Sequence, residues 1–96
     1  MKIVYLPSAR DDLVWMRSYY SRVFPEGSAR ARAHFRSAQR MLAANPELGR
    51  PTDVATVREL QVARTPFSII YRLGKARIEV LRVWDGRAER TVTEPE

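Results

Sequence analysis

The sequence predicts an α+β fold: an N-terminal strand, then an antiparallel helical hairpin packed on one face of a mostly antiparallel sheet of four or so strands. Three observations carry this reading. Residues 66–87, PFSIIYRLGKARIEVLRVWDGR, alternate on either side of a Gly74-Lys75-Ala76 break, as the two strands of a β-hairpin do. Before them, two stretches repeat apolar residues at spacings of three and four, the period of an amphipathic helix. Between these helices and the hairpin, turn-forming residues give way to a short alternating run from Val57.

Lys2 to Leu6 reads as a short strand ended by Pro7. Ser8 followed by Asp11 is a capping-box variant that should start the first helix. Its apolar stripe is Ala9, Leu13, Met16, Tyr20 and Val23, and Pro25-Glu26-Gly27 should close it. Trp15 and Tyr19 flank the stripe and read as its aromatic shoulder, with an exposed anchor for a partner as the other reading of Trp15. Ser28 should cap a second helix whose apolar line is Ala31, Phe35, Ala38 and Leu42, with Asn45-Pro46 as its stop. Arg32, Arg36 and Arg40 stack four apart on the opposite face, which reads as a solvated basic stripe. His34, at the edge of the apolar line, reads as a packed boundary residue, since no carboxylate or nucleophile is tied to it by local spacing.

Leu48 to Thr52 is a turn-rich exit loop, and Arg58 to Arg64 a strand with Leu60 and Val62 on one side. The turn Arg64-Thr65-Pro66 should pair that strand with the one at Phe67. In the hairpin, Phe67, Ile69, Tyr71 and Leu73 share a face; on its second strand the apolar phase shifts from Ile78 and Val80 to Leu81 and Val83. That shift requires a bulge or burial on both faces, and places the strand inside its sheet. Asp85-Gly86 reads as a turn with glycine at positive φ, Arg87 to Thr93 as a last strand, and residues 94–96 as a loose end.

Ninety-six residues, 45% of them hydrophobic, without a low-complexity segment, suit one globular domain over 1–96. There is no Cys and a single His, so neither thiolate chemistry nor a metal centre is expected, and no cofactor is implied. The N-terminal residues lack a signal-peptide pattern and no run approaches a membrane span, so the expectation is a cytoplasmic protein. The net charge is +6; of 17 basic residues only Lys2 and Lys75 are lysines, leaving fifteen arginines. Arginine's planar fork suits phosphate and carboxylate, so a nucleic acid or an acidic protein partner fits, while a GC-rich genome accounts for the same bias without function.

The order and spacing of S-A-R-D-D-L (8–13), N-P-E-L-G-R-P (45–51), V-R-E-L (57–60), P-F-S-I-I-Y-R (66–72) and I-E-V-L-R-V-W-D-G-R (78–87) resemble toxins of the RelE/ParE superfamily of bacterial type II toxin–antitoxin modules. The resemblance implies the same α+β fold and two alternative activities. RelE-like members cut messenger RNA in the ribosome, and ParE-like members poison DNA gyrase. Metal-free RNA cleavage needs a proton acceptor, cations for the phosphorane and an acid for the leaving oxygen. Where the nuclease branch has an arginine after the strand aromatic this chain has Ser68, and where it has His or Tyr this chain has Trp84 and Asp85.

These departures point to the ParE-like branch. What the resemblance then implies is gyrase as target, a cognate acidic antitoxin in a hetero-oligomer, and operator DNA reached only through that antitoxin. Arg58, Arg72, Arg82, Trp84 and Arg87 are the candidate target- or antitoxin-binding residues, the first three as a basic sheet face if the register aligns them. No catalytic residue is assigned; a nuclease would have to rebuild its site from Arg64, Arg82 and Arg87, with Asp85 or Glu59. The remaining alternative is an inactive toxin that acts only in the autoregulatory complex.

Overall fold

The computed structural model describes residues 1–86. Its elements are β1 (Lys2–Tyr5), α1 (Pro7–Val23), α2 (Pro25–Ala44), β2 (Arg50–Pro51), β3 (Val57–Gln61), β4 (Phe67–Gly74) and β5 (Arg77–Asp85). The five strands form one sheet in the order β1-β5-β4-β3-β2, with β1 parallel to β5 and every other pairing antiparallel. This is the α+β arrangement the sequence predicts, with β5 interior.

The phase shift along β5 is a bulge. Ile70 pairs with Arg82 but Tyr71 pairs with Val80, so Leu81 is the extra residue. The bulge brings Val80 and Val83 to the same side, where they join Ile78, Phe67, Ile69 and Tyr71 beneath Ala9, Tyr20, Phe35, Ala38 and Leu42 of the helices.

β1 follows β5 only as far as the Tyr5–Val80 pair. Beyond that point α1 flanks the open edge of β5, and Asp12 accepts the Val83 N–H at 2.8 Å. The helix therefore supplies the hydrogen-bond partner of this stretch of β5. α2 returns alongside α1 and closes over β1, where the Tyr5 hydroxyl donates to Gln39 and the N-terminal amine donates to Ala43 O at 2.8 Å. Burial pushes the Tyr5 phenol well above its usual range.

Both helix starts differ from the sequence expectation, for one reason. Leu6 is the N-cap of α1, without a side-chain cap, and Pro7 is its first residue, so Ser8 lies inside the first turn and the expected Ser8–Asp11 box is not formed. Likewise Phe24 ends α1 and precedes α2, whose first residue is Pro25; Pro25-Glu26-Gly27 is the first turn of α2 rather than a linker, and Ser28 is not its cap. Proline's fixed φ and missing N–H suit the first helical position as well as a helix stop, and here they open helices. Val23 and Phe24 consequently sit on the exposed corner between the helices.

Trp15 is also exposed, at 49%, and stacks on Tyr19 with centroids 5.3 Å apart instead of shouldering the core. The exit loop contains the short β2, paired with Arg58 and Glu59. β3 ends at Gln61, and Arg64 takes φ 64 in the following turn. No glycine of the described residues has positive φ; the left-handed residue of the β4–β5 turn is Ala76 (φ 58). Gly86 is needed for close approach instead: its N–H donates to Pro66 O at 2.6 Å, and a Cβ there would lie 3.1 Å from that oxygen. The expected strand 87–93 lies outside the described residues.

Candidate protein-interaction site

The register separates the sheet arginines that the sequence grouped together. Arg58 pairs with Tyr71, whose side chain points into the core, whereas Arg72 and Arg82 align with Glu79 and Ile70 on the other side. Arg58 donates to Gly49 O at 2.6 Å and to Glu47 O at 3.3 Å. It holds the turn after α2 together with Tyr71, whose hydroxyl donates to Pro46 O and accepts the Gly49 N–H, each at 2.8 Å. Burial raises the Tyr71 phenol's pKa, against the opposing Gly49 hydrogen bond and Arg58 charge.

Arg72 is engaged as well. Arg72 and Arg77 both contact Glu79, at 2.7 Å each, and their hydrogen bonds hold its carboxyl below the usual glutamate range. Arg50 pairs with Glu59 at 3.2 Å. Arg82 makes a two-pronged pair with Asp12, Nε to Oδ2 at 2.8 Å and Nη2 to Oδ1 at 3.0 Å, while its guanidinium carbon lies 5.7 Å from the centre of the Trp84 ring. Trp84 is half-buried opposite Ser68, which is itself buried and donates to Gln61 Oε1 at 3.5 Å. Arg64 is exposed in the β3–β4 turn, apart from Arg82 in mid-strand, and Arg87 lies outside the described residues.

The helical layer is different. Between α1 and α2 a cavity of about 210 Å³ opens to the surface. Its floor is Leu13, Met16, Tyr20, Ala31, Phe35 and Phe67, and Arg17, Arg32 and Arg36 stand among its walls. None of those three arginines has an ionic partner among the described residues. An apolar floor beside unpaired guanidinium groups can take an amphipathic segment, burying its apolar side and pairing its carboxylates.

By sequence alone Arg32 and Arg36 read as a solvated stripe, and Arg17 is not singled out. The available signal was positional: Arg17 is four residues after Leu13, and Arg32 and Arg36 directly follow Ala31 and Phe35, at the border of each apolar line. Nothing local in the sequence marks Asp12, because its partners are about seventy residues away.

No described helix is long and apolar enough to cross a membrane, and the described residues contain no group of three or more His, Asp or Glu suited to a metal ion. Among curated proteins none matches the sequence. A family model described as "ParE toxin of type II toxin-antitoxin system, parDE" matches residues 3–90. The fold is similar to a solved structure titled "Chromosomal ParDE TA system from P. aeruginosa", with a TM-score of 0.71 and 30% identity, covering 86% of this chain and 92% of that one. The agreement of profile, sequence identity and topology over most of the length places this chain in the ParE toxin family of type II toxin–antitoxin systems.

Proposed function

We infer that the protein arrests growth by poisoning DNA gyrase through protein–protein contacts, and that a cognate acidic antitoxin neutralises it in a cytoplasmic hetero-oligomer. The antitoxin, in turn, carries the sequence-specific reading of operator DNA. The observation that carries the gyrase reading over messenger RNA cleavage is the engagement of Arg82. A nuclease built on this sheet would need that cation for the scissile phosphate, yet Asp12 holds it with two bonds and uses the same carboxylate to satisfy the backbone of β5. Turning Arg82 to substrate would leave Asp12 with an unpaired charge.

The groove between α1 and α2 supports the antitoxin half. Leu13, Met16, Tyr20 and Phe35 offer an apolar bed, and Arg17, Arg32 and Arg36 offer the charge an acidic helix would meet. The test is gyrase supercoiling with the isolated protein, run beside ribosome-primed messenger RNA cleavage. Loss of supercoiling with accumulation of cleaved DNA and intact messenger RNA is the expected result. Cut messenger RNA with normal supercoiling overturns it, and no effect in either assay assigns the chain to the inactive toxins.

A further inference from the structure

Among the described residues, the arginines of the sheet and most of those on the helices form two populations. Those of the sheet are occupied: Arg50, Arg72, Arg77 and Arg82 by carboxylates, and Arg58 by backbone carbonyls. Arg17 and Arg22 on α1, and Arg30, Arg32, Arg36 and Arg40 on α2, are exposed and have no ionic partner among the described residues. From Ser28 to Ala44, α2 contains four arginines and no carboxylate. An antitoxin segment seated in the groove meets Arg17, Arg32 and Arg36. It leaves Arg22, Arg30 and Arg40 unmatched, so the basic surface is larger than the groove.

We propose that the exposed helical layer of the free toxin binds the phosphate backbone of duplex DNA, independently of sequence. Arg32, Arg36 and Arg40 recur every fourth residue and form a row spanning about 12 Å along α2. Duplex DNA presents a charge about every 1.7 Å of its axis, so such a row meets several phosphates at once. Guanidinium groups donate to phosphate in forked pairs, and binding releases condensed counterions. No aromatic residue of α2 shares the face of the row to stack on unpaired bases: Phe35 is buried, and His34, two residues from both Arg32 and Arg36, falls on the other side of the helix. Duplex backbone is therefore favoured over single strands. Such binding concentrates the toxin on the polymer its proposed target works on, and an antitoxin in the groove covers part of the same surface.

The experiment is fluorescence anisotropy of a labelled 20-base-pair duplex of arbitrary sequence, titrated with the isolated protein at 50, 100 and 200 mM salt. It contains neither antitoxin nor gyrase, so its outcome is independent of both. Neutralising three phosphates makes affinity fall roughly 40-fold between the lowest and highest salt, from a slope of about 0.9 per phosphate. The triple variant Arg32→Gln/Arg36→Gln/Arg40→Gln, shown by circular dichroism to be folded, should reduce that slope by roughly 2 to 3. The charge-matched variant Lys2→Gln/Arg50→Gln/Lys75→Gln, on the strands and the β4–β5 turn, should bind like the parent. Equal losses in both variants, no binding at 50 mM salt, or tighter binding to a single strand of the same length would each overturn the proposal.

Discussion

Replacing Asp12 by alanine should cost far more stability than its place on a largely exposed helix suggests. The carboxylate makes three contacts: two with the Arg82 guanidinium and one with the Val83 N–H, where β1 has ended and β5 has no other strand on that side among the described residues. Val83 is only 5% exposed, so losing its acceptor leaves a buried donor unsatisfied, at a cost of about 1–3 kcal/mol. The Arg82 side chain is 41% exposed, so the ion pair itself adds at most about 1 kcal/mol after screening by solvent. The sum for Asp12→Ala is about 1–4 kcal/mol, and at about 4–8 °C per kcal/mol the midpoint falls by roughly 4–32 °C. Asp12→Asn keeps a carbonyl oxygen for Val83 but loses the charge and the acceptor of the Arg82 Nη2 bond, both at a solvent-screened guanidinium, so it should cost about 1 kcal/mol, and Arg82→Ala a similar amount. Urea denaturation followed by tryptophan fluorescence and circular dichroism measures all three. If Asp12→Asn proves as damaging as Asp12→Ala, or Asp12→Ala stays within 1 kcal/mol of the parent, the edge-capping role of Asp12 is wrong.

Four further outcomes follow from the same geometry. Gly49→Ala should destabilise by about 1–3 kcal/mol in the same denaturation assay, because its Cβ would lie 2.8 Å from the Tyr71 ring and 2.9 Å from Glu59 O. Ala76→Gly should instead stabilise by about 0.5–1 kcal/mol, relief of a left-handed residue (φ 58) exceeding glycine's greater freedom in the unfolded chain. Glu79, held by Arg72 and then Arg77, has a folded-state pKa below its unfolded value of about 4.3. Its stabilisation over Glu79→Gln should therefore be complete above that unfolded value and vanish as pH falls through the lower folded one; a gap unchanged down to pH 2 in thermal melts would contradict the pairing. Arg32→Glu/Arg36→Glu should raise the antitoxin Kd at least tenfold, about 1.4 kcal/mol, in calorimetric titration.

Much of this protein is legible in short windows of sequence. The β4–β5 hairpin follows from residue alternation, and the consecutive apolar Val80 and Leu81 mark its phase shift, though register alone decides for a bulge over burial on both faces. The helix stripes at Leu13, Met16 and Tyr20, and at Phe35, Ala38 and Leu42, follow from the 3.6-residue period, which depends only on local backbone geometry. Family resemblance is legible too, since it lies in the order and spacing of motifs along the whole chain. Local ambiguity accounts for the helix starts: proline suits both the end of one element and the first turn of the next, and only the path of Leu6 and Phe24 decides between them.

The arginines belong to the other category. Fifteen of them look alike in sequence, and nothing local separates Arg82, clamped by a carboxylate about seventy residues away, from Arg36, which has no ionic partner among the described residues. Strand register put Arg58 on the opposite side from Arg72, and helix packing put Arg17 beside Arg32 and Arg36 around one groove. Sequence by itself determined which residues could be cationic, apolar or turn-forming, because those are properties of single side chains and short periods. Which cations are consumed within the fold, and which are left for a partner, was decided by tertiary structure alone, because an ion pair depends on distance in space between groups that the chain brings together only when it folds.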